Sequence, residues 1–139
     1  MCLEKKSRIP RIATKDIIVY KILIPKYHEL FTPYYNDNIE IGKTYKGTFS
    51  RYSIWIKHKP RAFTNNIICF LISLFFSKII SSGYIHSYNN YNIIFNTNNW
   101  FYGNYYLIVK CIIPKGTLYF IGKDGDIASR KLKYVKIIN

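Results

Sequence analysis

The chain is poor in acid. Seven Asp and Glu stand against 21 Lys and Arg in 139 residues, a formal net charge of +14. With so few carboxylates, few lysines can be paired within the chain, and the surface must attract anions such as nucleotides, nucleic acid or acidic headgroups. Carboxylate pairs spaced for acid–base work are missing as well. Asp124 and Asp126 flank a glycine, as turn residues do, and no glutamate follows Glu40. Cysteine is sparse. Cys2, Cys69 and Cys111 are odd in number and far apart, and no CxxC or Cys/His spacing suggests zinc. Buried free thiols in a reducing compartment are expected. The phosphate-binding patterns GxGxxG and GxxxxGK[ST] do not occur, nor does a Ser-His-Asp order with supporting glycines. "MCLEKKSRIPRI" has no apolar core, which excludes a secretory signal. The longest apolar run, "IICFLISLFF" from Ile67 to Phe76, falls short of the about 20 residues a bilayer span needs, and Lys78 interrupts its continuation. These absences predict a cytosolic protein without a membrane partner, cofactor, metal or catalytic acid.

What is present is apolar and β-branched. Hydrophobic residues make up 49% of the chain, enough for the core of a single domain. Sixteen lysines outnumber five arginines. The Ile, Asn, Lys and Tyr content matches AT-rich codons, so composition alone leaves open whether the charge is selected.

Residues 1–15 read as a basic arm. Residues 16–139 read as one domain with an insertion at about 50–80. "DIIVYKILI", Asp16 to Ile24, predicts a central strand, apolar on both faces except at Lys21. "IEIGKTYKGTF" predicts a short strand or hairpin with turns at Gly42 and Gly47. "SRYSIWIKHKPR" interleaves basic residues with Tyr52 and Trp55, a pattern able to stack bases and meet phosphates. Asn66 to Ser81 predicts one longer helix that stops at Gly83, and the segment opened by Asn89 and Asn90 a short one. "YYLIVKCII" and "TLYFIG" predict two strands forming a hairpin about the Pro114–Gly116 turn. "RKLKYVKII" predicts an edge strand, since edge lysines blunt further pairing. The order predicts an α+β fold with a mostly antiparallel twisted sheet.

Candidate chemistry gathers in "GYIHSY". His86 and Ser87, flanked by Tyr84 and Tyr88, could bind a phosphate or ribose and stack on a base. The alternative is a structural histidine satisfied by backbone. "PKGT" and "IGKT" could each form a small anion nest or simply a turn. Lys21 is a charge in an otherwise apolar strand, and it needs a polar or anionic partner.

Taken together, "DIIVYKIL", "IEIGKTYKGTF", "SGYIHSY" and "IVKCIIPKGTLYFIGKDGDIASRKLKYV" resemble a family of small phage and prophage proteins of gut bacteria. Members carry a "VYKVL" strand, then "GKTY", then "GFHSF" or "GYIHSF", then "IPKGTxYxxG". The resemblance covers most of the chain outside roughly residues 50–80. More distantly, the order of elements is similar to ADP-ribosyltransferase-like folds. That similarity places Lys21 where Arg or His is expected and matches Ser87 to a serine-bearing strand. Near the end it offers only Asp124 or Asp126 for the catalytic glutamate.

Three expectations follow. The first is a non-catalytic protein that binds an anionic, nucleotide-like ligand through Lys21, Tyr84, His86, Ser87 and Tyr88; in the phage setting that the resemblance implies, it would sequester a nucleotide immune signal. The second is an atypical ADP-ribosyltransferase-like enzyme using Lys21, Ser87 and Asp126. The third is a basic nucleic-acid-binding or virion accessory protein. A homo-oligomer, with the apolar run at its interface, is an open possibility.

Overall fold

The computed structural model describes residues 9–33, 37–47, 83–90 and 105–138, together with residues 3, 4, 6, 55, 56, 59, 60, 79, 80, 92 and 94. Fourteen strands lie among them. In chain order they are β1 (Leu3–Glu4), β2 (Arg11–Ile12), β3 (Ile17–Lys26), β4 (Glu29–Phe31), β5 (Asn38–Ile39), β6 (Thr44–Lys46), β7 (Trp55–Ile56) and β8 (Lys59–Pro60), then β9 (Ile79–Ile80), β10 (Ile85–Tyr88), β11 (Leu107–Ile113), β12 (Leu118–Ile121), β13 (Asp126–Ser129) and β14 (Lys131–Ile137).

The main sheet is antiparallel and runs β2-β12-β13-β10-β3-β11-β14-β6, with β4 and β5 added beyond the end of β3. β3 is its spine. It pairs with β11 from Ile17↔Ile113 to Leu23↔Leu107, with β10 at Tyr20↔Tyr88, and with β4 through its last three residues. Its composition, β-branched at five of ten positions, suits a strand flanked on both sides. β1 with β9, and β7 with β8, form two separate ladders.

Alternation along β3 and β11 sorts side chains onto two faces. On the inner face Val19 and Leu23 meet Val109, Cys111 and Ile113, with Ala13, Ile39, Ile127, Leu132 and Tyr134 closing the main core. On the outer face Ile22 and Ile108 pack with Ile94 and with Tyr20, Tyr88 and Tyr106. Farther along the outer face, Phe120 and Ala128 pack with Tyr84.

The sheet curls back on itself. Only Arg130 separates β13 from β14, yet β10, β3 and β11 lie between those strands along the sheet. Arg130 holds this corner. Its backbone N–H donates to Leu118 O at 2.9 Å, and its carbonyl accepts from Gly47 N at 2.9 Å. Its Nη1 donates to Gly47 O at 3.0 Å and also to Gly83 O. Gly47, beyond β6, is thereby drawn against Gly83, which leads into β10. A Cβ on Gly47 would stand 2.5 Å from Gly83 C and 2.7 Å from Tyr84 N, both backbone atoms that cannot swing away, so the close approach requires glycine.

Several expectations change here. The α+β class is overturned, because the described chain is almost entirely antiparallel sheet and holds no helical layer. Most of the expected helix at 66–81 lies outside the described residues, but Ile79–Ile80 pair as strand with Leu3–Glu4. Isoleucine's β-branching favours that outcome. In the expected short helix, Asn92 and Ile94 have helical backbone, and Asn90 Oδ1 accepts from Asn92 N at 2.9 Å; the rest of it lies outside the described residues. The ADP-ribosyltransferase-like architecture falls with the α+β class.

The expected hairpin at Pro114–Gly116 is a corner instead. β11 pairs with β3 and β14, whereas β12 pairs with β13 and β2. The turn itself is as the sequence indicates. Gly116 has φ +83°, and Thr117 N donates to Pro114 O at 3.1 Å, the arrangement of a type II turn. The hairpin lies one step later, where β12 and β13 flank Gly125 at φ +80°. Nor is β14 an edge strand, since it pairs with both β11 and β6.

Candidate ligand site at Lys21

Lys21 stands on the inner face of β3 between Val19 and Leu23, both fully buried, and directly opposite Val109. The strand's period of two therefore carries a charge to a core position. As a residue it is half-buried, but its ammonium is enclosed. Nζ donates to His86 O at 2.6 Å. No carboxylate forms an ion pair with it among the described residues. Burial pulls its pKa down to about 8, against the weaker opposing influence of Cys111 and Asp37.

Cys111 and Asp37 act on this ammonium from other segments, and a tyrosine pair adjoins Cys111. Cys111, one row along β11, is a buried free thiol that burial pushes up to about 12, with Lys21 acting the other way. Tyr134 lies opposite Cys111 on β14; burial first, then Cys111, Tyr45 and Asp37, hold its phenol well above the ordinary value. Tyr45 on β6 meets the Tyr134 ring edge-on, with centroids 5.6 Å apart. Its hydroxyl accepts from Glu40 N at 2.9 Å. Asp37 sits exposed in a loop closed by two hydrogen bonds, from Thr32 N to Asp37 O at 3.0 Å and from Asp37 N to Thr32 Oγ1 at 3.1 Å. Cys111 and Asp37 went unnoticed in the sequence as groups acting on Lys21. The alternation of "LIVKCII" marks Cys111 as inward, but only the register brings it near Lys21.

"GYIHSY" divides between the two faces. Ile85 and Ser87 point inward, the former packing on the main core. The Tyr20↔Tyr88 register carries Ser87 to the position beside Lys21. Ser87 is 1% exposed, and its Oγ has no hydrogen-bond partner among the described residues. The neighbouring inward serine, Ser129, donates to Lys131 O at 3.0 Å. Tyr84, His86 and Tyr88 point outward. Tyr84 meets Phe120 edge-on at 5.5 Å, with the Arg130 guanidinium 5.8 Å from its ring centre. Tyr88 packs in the cluster around Ile22. His86 lies in a cross-strand row with Ala128 and Phe120. Both its ring nitrogens are buried without hydrogen-bond partners among the described residues. Burial, reinforced by the Lys21 charge, lowers its pKa to about 3, so the imidazole is neutral at physiological pH. Of the five residues singled out in the sequence, Lys21 and Ser87 come together. The rings of Tyr84, His86 and Tyr88 occupy the opposite face, and His86 reaches Lys21 only through its carbonyl.

Asp126 pairs opposite Tyr88 and so faces outward, away from Lys21 and Ser87. Burial raises its carboxyl pKa. The two small anion-nest candidates resolve as turns. In "PKGT" Lys115 N donates to Asp16 Oδ1, Gly116 N to Ala13 O and Thr117 N to Pro114 O. In "IGKT" Gly42 N donates to Tyr134 O and Lys43 N to Glu40 O, and the Lys43 and Glu40 side chains form an ion pair at 2.6 Å. Among the described residues no His, Cys, Asp and Glu cluster could hold a metal, and no helix is long and apolar enough to cross a membrane. The basic-aromatic run from Arg51 to Arg61 lies outside the described residues except at Trp55–Ile56 and Lys59–Pro60.

No family model, curated protein or solved structure matches the chain.

The inner polar group can therefore do one thing well. An ammonium has three donors, and the described residues accept from one of them. Lys21 and Ser87 occupy adjacent inward positions, and two ammonium donors and the Ser87 hydroxyl have no partner among the described residues. That arrangement suits an oxyanion, whose charge offsets the desolvation of the lysine.

Proposed function

We propose that the chain is a non-catalytic binding protein for a small anionic, nucleotide-like ligand anchored at Lys21. The observation that carries this reading is an enclosed ammonium at a core position whose partner is a backbone carbonyl rather than a carboxylate. Ser87, buried beside it with a spare hydroxyl, supplies a second polar contact. The resemblance to small phage and prophage proteins supports a role in the host cytoplasm, where the ligand is a nucleotide immune signal held out of circulation.

The test is calorimetric titration with a panel of cyclic and ADP-ribose-derived nucleotides, alongside mass spectrometry of small molecules that copurify. A member of the panel binds stoichiometrically and is released intact on denaturation. Lys21→Met weakens it tenfold or more, because a charge-assisted hydrogen bond is worth about 1.5–3 kcal/mol. Ser87→Ala weakens it less. His86→Ala changes affinity little, since its neutral ring lies on the other face. Affinity falls as pH rises through about 8, where Lys21 loses its charge. No binding at micromolar concentration, or equal binding by Lys21→Met, overturns the proposal.

A further inference from the structure

The lysines of β6, β11 and β14 have no place in the site at Lys21. Alternation and register put five of them on one outer face. Lys46 stands directly opposite Lys131, and Lys110 directly opposite Lys136. Lys133 lies between these pairs, opposite Ile112 on one side and Thr44 on the other. The irregular register between Lys110 and Cys111 brings Lys136 onto this face beside Lys110. Like charges directly opposite each other destabilise a sheet, and here two such pairs share a face.

Only Lys46, on the end strand β6, has the place of an edge lysine; the other four do not. Edge lysines guard a strand with one open side, but β14 is paired on both sides and β11 lies deeper still. Nor do carboxylates balance it. None of the seven acids lies in β6, β11 or β14, and none of the five lysines forms an ion pair among the described residues. The same face continues past the lysines into apolar ground, where Ile18 is 50% exposed and sits opposite Ile112, and Tyr20 sits opposite Lys110.

We propose that this outer face of β6, β14, β11 and β3 is a docking surface for single-stranded nucleic acid. Charge complementarity selects a polyanion, because five cations on neighbouring strands can meet several phosphates at once. The adjoining Ile18, Ile112 and Tyr20 select a single strand over a duplex. Unpaired bases offer apolar faces to such a floor, whereas a duplex keeps its bases stacked inside. The surface is separate from Lys21, which faces inward, so the two proposals stand or fall independently.

The test is fluorescence anisotropy with a labelled oligothymidylate of about 15 nucleotides over a salt series. Five contacts give a slope of log affinity on log salt of up to about −3.5, at roughly −0.7 for each phosphate neutralised. A variant carrying Lys46→Gln, Lys131→Gln, Lys133→Gln and Lys136→Gln loses about 2.8 of that slope and binds about a hundredfold or more weaker at roughly 50 mM salt. A control with the same net charge, carrying Lys6→Gln, Lys15→Gln, Lys115→Gln and Lys123→Gln, keeps most of the affinity, and so does Lys21→Met. The substituted lysines are exposed, and melting curves confirm that both fourfold variants stay folded. Equal loss in the two fourfold variants would reduce the effect to net charge and overturn the assignment. Duplex binding as tight as single-strand binding, binding to anionic vesicles in place of oligonucleotide, or no binding at all would overturn it equally.

Discussion

Replacing Lys21 by Met should make the protein more stable at neutral pH and should remove a particular dependence on pH. In the unfolded chain the lysine keeps its ordinary pKa of 10.5, and in the fold burial lowers it to about 8. The folded state thus binds the proton less tightly. Below pH 8 both states are charged, and the fold bears the full penalty of about 2.5 pKa units, roughly 3 kcal/mol at 1.36 kcal/mol per unit. Between pH 8 and 10.5 the unfolded chain holds a proton that the folded one has released, so stability rises with pH by up to about 1.4 kcal/mol per unit. Above 10.5 the penalty is gone. Methionine has a similar length and no charge, but it leaves His86 O without its donor, which costs about 1–3 kcal/mol. The net gain at pH 7 is therefore up to about 2 kcal/mol, or as much as roughly 8 °C in melting temperature for a domain of this size. The assay is thermal unfolding of both proteins from pH 7 to 11. Titrations common to both, such as that of the exposed lysines, cancel in the difference. The Met variant's advantage should shrink from pH 8 upward and vanish or reverse near 10.5. Parallel curves across that window would refute the enclosed setting of this ammonium.

Three further outcomes are expected. Gly116→Val should lower stability by about 1–3 kcal/mol, purely through the positive φ, because nothing lies within 4 Å of a Cβ there; an unchanged melting temperature would refute the turn. Tyr27 and His28, at φ +52° and +67°, join β3 to β4 in a two-residue turn of the kind that favours Asn-Gly, so Tyr27→Asn with His28→Gly should raise the melting temperature by a few degrees, worth about 1 kcal/mol. Cys111 should resist iodoacetamide at pH 8 in the folded protein and react in denaturant, as read by peptide mass spectrometry, because burial holds its thiol near 12.

The strands at 17–26, 107–113 and 118–121 were legible because β-branched and aromatic runs end at prolines and glycines. Their partners were not. The Pro114–Gly116 turn has a hairpin's residues, yet nothing in a local turn says whether the two arms pair with each other or with strands 90 residues away. The lysines of β14 misled in the same manner, since a lysine on a solvent face reads alike at an edge and in the middle of a sheet. Lys21 was legible as an anomaly because it interrupts an apolar strand on its inward side. Its surroundings were not, because Cys111 and Ser87 come near it through pairings that only the assembled sheet defines. "GYIHSY" read as one wall, and the period of two divides it: Ser87 goes inward, the three rings outward.

The pairing of β3 with β11 and the late place of β14 also bear on how the protein is made. β3 is complete at residue 26, but its main partner ends at Ile113, and the strand that closes the core ends at Ile137. At a synthesis rate of about 5–20 residues per second, β3 waits on the order of 5–20 s for the rest of its sheet. During that interval "IIVYKILI" is a bare stretch of high β-propensity, the kind of segment that pairs with copies of itself. Lys21 is its only charge. On the ribosome, where the lysine is hydrated and carries no burial penalty, it acts as a gatekeeper against aggregation. A residue that burdens the finished fold thus guards the nascent chain, and a protein relieved of it would be sturdier once folded but more hazardous to synthesise.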